Sequence, residues 1–397
     1  MLVPKLRFKR EDGTEYSEWK SMPLGERFTF KNGINASREA FRAEGIHCIG
    51  VSDVYKCFPI TAENVIGTVA ISDDEIEKNK VGYGDILFQR SSETKEDIGH
   101  ASVYFDNTTS VCNGFVICAK PDELFYDPLY LHYSLQNTRV RKQTITLGAG
   151  SGQHYNIGQE GLAQIKAVFP CLEEQEKIAD FIYSIDEAIA QSEAEVQNLE
   201  QQKKAAMQKI FSQEVRFKCE DGTDYPEWED CILSDYCEEI KTSIDPKKYP
   251  NDTFLEYSMP AFDIDKTPNT VIGSDMNSNR KIVNNPCVLI NKLNVRKKRI
   301  WKVPNPTDNS VCSAEFIPVT SDKMSIDFLE HLALSDRFTA RLLDCSTGTS
   351  NSQKRVTPDI IMDMPITIPC FEEQQKIADF LSAYDEAISY AKQELDK

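Results

Sequence analysis

Between Lys292 and Lys302 the chain reads KLNVRKKRIWK, with six cations (Lys292, Arg296, Lys297, Lys298, Arg299 and Lys302) in eleven residues and no acid. Cations this close repel one another unless they face water or an anion, and phosphate is the anion that Lys and Arg clusters most often meet. Asn294 lies inside the run and adds an amide able to pair with a base edge. A second candidate is Gly148–Gln153, GAGSGQ, followed by His154. Glycine-rich backbone approaches phosphates closely, and Gln can pair bidentately with adenine. The matching stretch 348–353, GTSNSQ, carries Ser350 and Gln353 and runs into Lys354 and Arg355. Smaller groups are Gln89, Arg90 and Ser91 after the strand-like GDILF of 84–88, and Arg139 and Arg141 further on. All of these residue types point to nucleic acid.

Catalytic signatures are absent. There is no G-x-x-x-x-G-K-[ST], no G-x-G-x-x-G opening a helix, no H-E-x-x-H and no G-x-S-x-G. The Asn/Asp-Pro-Pro-aromatic tetrapeptide of amino-methyltransferases is missing too. Glu173-Glu174 and Glu372-Glu373 imitate paired catalytic carboxylates, but in a first helical turn they are expected to complement the helix dipole. The twelve cysteines form no C-x-x-C pair and His is rare, so no zinc site is expected. Buried, reduced thiols, no signal peptide and no apolar run near 20 residues suggest a cytoplasmic protein without a membrane span. Two rivals stay open at this point. A chain that itself cuts or methylates DNA would need a catalytic motif, and a coiled-coil scaffold without DNA would show no site preference.

The elements that must position these residues emerge from a repeat. RFKREDGTEYSEW at 7–19 returns as RFKCEDGTDYPEW at 216–228, and PCLEEQEKIADFIYSIDEAI at 170–189 returns as PCFEEQQKIADFLSAYDEAI at 369–388. The interiors echo each other weakly: 84–88 with 286–290, 111–112 with 311–312, 130–133 with 328–331, and Gly148–Gln153 with Gly348–Gln353. Segments 86–88, 111–117 and 288–290 are short, β-branched and bounded by turn residues, which predicts strands. Apolar spacing predicts one helix over 128–142 and another over 326–343. Each interior is therefore α+β.

The repeated ends are helices of another kind. Ile178, Ile182, Ile185, Ile189, Val196 and Leu199 fall on a 4,3 alternation, and Ile377, Leu381, Tyr384, Ile388 and Leu395 repeat it. That is a coiled-coil seam. The expected architecture is α+β: domain 1–170, helix 171–212, domain 213–369, and a shorter helix 370–397, the two helices pairing antiparallel about a pseudo-two-fold. Charge follows the same division. The 397 residues carry 45 Lys+Arg against 63 Asp+Glu, a net −18, and the two helices alone (172–211 and 371–397) supply −9 of it. The acidic total therefore does not argue against nucleic acid, because the acids concentrate outside the recognition-sized domains.

Two unlike domains, each closed by a helix with the signature Pro170-x-x-Glu173-x-Gln175-x-x-Ile178-Ala179 or Pro369-x-x-Glu372-x-Gln374-x-x-Ile377-Ala378, resemble a DNA sequence-specificity subunit of a type I restriction–modification system. The GDILF strand and the Leu289-Ile290-x-Lys292-Leu293-Asn294 stretch are similar to that family's target-recognition domains. The resemblance spans the chain. It implies a non-catalytic subunit whose two domains each read one half of a split double-stranded DNA site, with the helices as spacer. It implies two modification (methyltransferase) subunits docked on those helices, and restriction (endonuclease/translocase) subunits in the assembly. S-adenosylmethionine, ATP and Mg would then belong to the partners, with no cofactor or metal on this chain.

Overall fold

A computed structural model describes residues 6–42, 44–56, 58–348 and 353–396. The chain divides into two compact units, Met1–Ala188 and Ile189–Lys397.

Unit 1 is built on an antiparallel sheet of β1 (Phe28–Asn32), β2 (Ile86–Gln89), β3 (Ala101–Val103) and β4 (Val116–Pro121), in the order β1-β4-β2-β3. The central strand β2 is buried along its whole length because both of its faces are covered. Ile86 and Phe88 join a core with Leu131, Leu135 and Val140, while Leu87 joins Ile49, Tyr104 and Cys112. A strand sandwiched in this way reads as a continuous apolar run, which is why ILF stood out. Helices α1 (Pro128–Gln136) and α2 (Thr138–Leu147) follow. The single helix expected over 128–142 is thus two. Asn137 takes extended backbone, and its side chain accepts from the N–H groups of Arg139 and Val140, capping α2. Likewise 111–117 is two strand segments split by a turn at 113–115.

The helix α3 (Leu172–Phe211) runs from unit 1 into unit 2, about 60 Å at 1.5 Å per residue. Unit 2 repeats the sheet with β5 (Glu238–Glu239), β6 (Cys287–Asn291), β7 (Ile300–Val303) and β8 (Phe316–Thr320), in the order β5-β8-β6-β7. First, last, second, third is the order in both units, so the weak interior echoes mark one shared topology. Here too the expected helix 326–343 breaks, at Ser335, into α4 (Ile326–Leu334) and α5 (Asp336–Asp344). The Ser335 hydroxyl caps α5 by accepting from Phe338 N–H. The chain then passes to α6 (Phe371–Leu395).

What joins domain to helix is a buried carboxylate, and it is built twice. Glu174, in the first turn of α3, has a fully buried side chain. Arg7 donates to it through Nε (2.9 Å) and Nη2 (2.7 Å), and Trp19 Nε1 donates at 2.9 Å. In unit 2, Arg216 Nη2 donates to Glu373 at 2.9 Å and Trp228 Nε1 at 3.2 Å. The next residue locks the other side. Gln175 accepts from Asp127 N–H and donates to the Pro170 carbonyl, and Gln374 does the same with Ser325 and Pro369. Asp127 and Ser325 are the caps of α1 and α4, so the amide ties one helix start to another. Of each pair expected to complement the helix dipole, Glu173 and Glu372 stand exposed in the first helical turn. Glu174 and Glu373 are instead the acceptors to which the RFK…W segments fold back.

Within unit 2 the seam closes as an antiparallel pair. Lys203 pairs with Asp385 and Glu200 with Lys392, the numbers falling on α3 as they rise on α6. Val196, Ile377 and Leu381 are buried, and Leu199, Tyr384, Ile388 and Leu395 half-buried. Toward the start of α3 the expected seam stays open: Ile178 and Ile182 are half-buried, and Ile185 and Ile189 are each 43% exposed.

Removing one partner of a buried pair leaves the other charge without compensation. Arg216→Leu should lower the stability of unit 2 by about 3 kcal/mol, and Arg216→Leu with Glu373→Leu by less than that single change. Urea midpoints measure both. A loss in Arg216→Leu of only about 0.5 kcal/mol, as for an exposed pair, would contradict the latch.

Candidate nucleic-acid interface

In unit 1 the chain leaves β2 at Gln89 and runs through Arg90 into the short strand Ser91–Ser92. That strand pairs with His154–Asn156, itself the second arm of a hairpin whose first arm is Ala149–Ser151. Two groups of candidates some sixty residues apart in sequence are therefore neighbours. Gly150 makes the hairpin possible. Its φ is +147°, and a Cβ there would sit 2.0 Å from the His154 carbonyl oxygen, so no side chain fits.

Unit 2 builds the same juxtaposition with other residues. The segment leaving β6 bridges Leu293 to Arg355, with Asn294 N–H donating to the Lys354 carbonyl at 2.7 Å and Val356 N–H to the Lys292 carbonyl at 3.0 Å. Asn294 sits at φ +54°, a left-handed conformation that Asn tolerates better than most residues. Gly348 has φ +139° and would place a Cβ 2.4 Å from the Gln353 carbonyl oxygen. Its structural counterpart is therefore Gly150, two residues from the Gly148 expected by aligning the loops directly.

The individual side chains sort clearly. Gln153, His154, Arg139, Arg296, Lys297, Gln353 and Arg355 are exposed; Ser91, Arg90, Lys292, Asn294 and Lys354 are half-buried at the same two surfaces or beside them. Arg139 is not brought to the hairpin, because it lies in the first turn of α2 and the hairpin follows the last, about 14 Å along the axis. Arg141, half-buried, donates to the Glu96 carbonyl in the loop after Ser92. Gln89 is buried, with its Nε2 donating to the Ser91 carbonyl, so it braces the turn from the inner side. Ser350 lies outside the described residues.

The six-cation run is not one patch. Arg299 is only 7% exposed and its fork is closed on both carboxylate oxygens of Asp263, at 2.7 and 2.6 Å. That hydrogen bonding holds the Asp263 carboxyl below the usual carboxylate range. Lys298 pairs with Asp336 at 2.7 Å, and Lys302 with Asp327 and Glu330. Lys297 reaches Asp263 only at 4.0 Å. The acids come from α4, α5 and the segment 259–264, far away in sequence. Trp301 is buried edge-to-face against Tyr257 at 4.8 Å, a core residue rather than a stacking platform. Among the described residues, only Lys292 and Arg296 of the six have no acid within ion-pair distance. Arg355 faces Glu315 at 3.1 Å.

No group of His, Cys, Asp and Glu among the described residues is placed to hold a metal ion. Burial pushes the thiols of Cys48 and Cys312 up to about 12, which keeps them protonated and unreactive. No helix among the described residues is long and apolar enough to cross a membrane.

A family model described as the type I restriction modification DNA specificity domain matches residues 16–201 and again 226–397. The putative type I restriction enzyme MjaX specificity subunit of Methanocaldococcus jannaschii is 27% identical over 165 residues, covering 40% of this chain and 39% of that protein. The type I restriction enzyme MjaVIII specificity subunit of the same organism is 24% identical over 326 residues, covering 76% and 73%. Among solved structures, the S subunit of a type I restriction-modification system from M. genitalium superposes with a TM-score of 0.58 at 13% identity, covering 99% of this chain and 95% of that one. A chain from a study of complex assembly and conformational transition of the type I R-M system gives 0.56 at 14%, covering 95% and 93%.

The pairing of cations separates two kinds of substitution. Lys292→Gln with Arg296→Gln should flatten the slope of log Kobs against log salt for duplex binding by up to about two. Lys298→Gln with Arg299→Gln should leave that slope alone and lower thermal stability instead. Equal slopes in both double variants would remove Lys292 and Arg296 from the interface.

Proposed function

The chain belongs to the family of type I restriction modification DNA specificity domains, and from that premise we propose that each unit reads one half of a bipartite double-stranded DNA site. The observation that carries this reading is the juxtaposition made twice: a segment leaving the central strand, bridged to a second segment beside a glycine whose close backbone approach admits no side chain. The frame is alike, whereas the side chains on it differ. Ser91, Gln153 and His154 in one unit stand against Lys292, Asn294, Lys354 and Arg355 in the other. Two surfaces of one design with unlike hydrogen-bonding groups suit two unlike half-sites. Exposed cations beside them would hold phosphates and fix orientation.

The helices act as spacer and as docking surface for two modification subunits and for restriction subunits. Their acidic faces suit protein partners better than DNA. The chain is non-catalytic on this reading, and the partners bring S-adenosylmethionine, ATP and Mg to a cytoplasmic complex. One of the similar structures comes from work on complex assembly in a type I R-M system, which supports a multisubunit setting.

Selection from random duplexes, with the methyltransferase partner present, should return a motif split by a fixed gap. Replacing residues 20–169 with another recognition domain should change one half of that motif and leave the other. A motif that changes in both halves, or no site preference at all, would overturn the proposal, the second outcome favouring an assembly scaffold.

A further inference from the structure

The segment leaving the central strand has a neighbour on its other side, and residue type alone gave no sign of it. In unit 1 the register Gln89↔Val116 brings the turn 113–115 beside that segment. Arg90 N–H donates to the Phe115 carbonyl at 2.9 Å, and the Arg90 carbonyl accepts from Ile157 N–H at 3.0 Å. Arg90 is thus held between the turn and the end of the hairpin. Unit 2 repeats these bonds. Its register is Asn291↔Phe316, Lys292 N–H donates to the Glu315 carbonyl at 2.9 Å, and Val356 N–H donates to the Lys292 carbonyl at 3.0 Å. The turns are braced alike as well, Asn113 Oδ1 accepting from Phe115 N–H and Ser313 Oγ from Glu315 N–H. Positions 115 and 315 are therefore one place in the shared frame, and the side chains there differ in kind. Phe115 is 63% exposed and joins none of unit 1's apolar clusters among the described residues. Glu315 is half-buried and accepts from Arg355 Nη2 at 3.2 Å.

A single exposed aromatic calls for no explanation by itself. Here it occupies the place where the other unit sets a carboxylate, each directly beside a cation of the candidate interface. Phosphate repels a carboxylate, so this place suits base edges better than the backbone. In the major groove both residue types have an edge partner, Phe the methyl group of thymine and Glu the amino group of cytosine. A wedge driven between stacked bases suits Phe alone. We propose that the residue at this turn is a specificity-determining residue in each unit: Phe115 packs on one thymine methyl in one half-site, and Glu315 accepts from one cytosine amino group in the other. An ionised carboxylate offers more acceptor sites than one arginine nitrogen fills, so Arg355 orients Glu315 without exhausting it. The inference rests on the reading of each unit as the reader of one half-site and assigns a base to a named side chain in each.

The full chain with its methyltransferase partner, selecting from random duplexes, tests it. Phe115→Ala should relax the preference at one base pair of the unit 1 half and leave the other half, the gap and the salt slope unchanged, since no charge is lost. Glu315→Gln should relax one base pair of the unit 2 half by about tenfold and leave the unit 1 half alone. A third arm needs no variant. Deoxyuridine replaces each thymine of the unit 1 half in turn, and loss of the methyl should weaken binding of the unaltered chain about fourfold at one position. Phe115→Ala should not feel that replacement. A split motif that keeps every position in both variants would overturn this inference and leave the bipartite reading standing. So would a unit 1 half in which no thymine responds to deoxyuridine. No motif at all from the unaltered complex would overturn both.

Discussion

A carboxylate with no exposure to water is stable in a protein only if fixed donors replace its hydration. Glu174 and Glu373 meet that demand with an arginine fork and an indole N–H each, and both donors come from the chain segment that opens the domain. The geometry is therefore exclusive: if the helix turns or the segment shifts by one residue, a charge is left buried and alone. Gln175 and Gln374 add a second tie, from the same helical turn to the cap of a domain helix. Together they fix how each domain sits on its helix start. Everything downstream, from the central sheet to the hairpin, inherits that orientation.

This constraint explains why the chain repeats where it does. The nearly identical segments RFK…W and EEQ are the two sides of one contact, so a change on one side requires a matching change on the other. The interiors carry no such restriction beyond a shared strand order, and their surfaces diverge. Even the entry to the central strand tolerates change. Asp85, which accepts from Gly82 N–H and pairs with Lys120, is replaced by Cys287 in an apolar cluster. The charge balance follows the same logic. Much of the basic run at 292–302 is spent inside the domain on Asp263, Asp327, Glu330 and Asp336, while the surplus acid lies on helices.

Periodicity made the long helix and its seam legible, and the apolar runs at 86–88 and 288–290 gave the central strands. Helix breaks at Asn137 and Ser335 were hidden, because apolar spacing continues across them and only the extended backbone at the cap reveals the turn. Glu174 looked like its neighbour Glu173, since one residue along a helix separates solvent from interior. The joint recurrence of Arg, Trp and Glu at both ends was the signal that they touch. Of the candidate interface, Ser91, Gln153, His154, Lys292, Asn294, Lys354 and Arg355 come together as paired segments. Gln89 and Arg299 do not belong with them, because residue type alone carries no information about the distant acid or carbonyl that claims a side chain.

The central claim is that two readers are held by one helical frame, so that helix length sets the spacing they read. Inserting seven helix-forming residues between Ala188 and Ile189 adds about 10 Å, or about three base pairs of duplex. The account predicts that the gap in the selected motif lengthens by about that much while both half-motifs keep their sequences. A gap that stays the same in a folded, DNA-binding variant would contradict it.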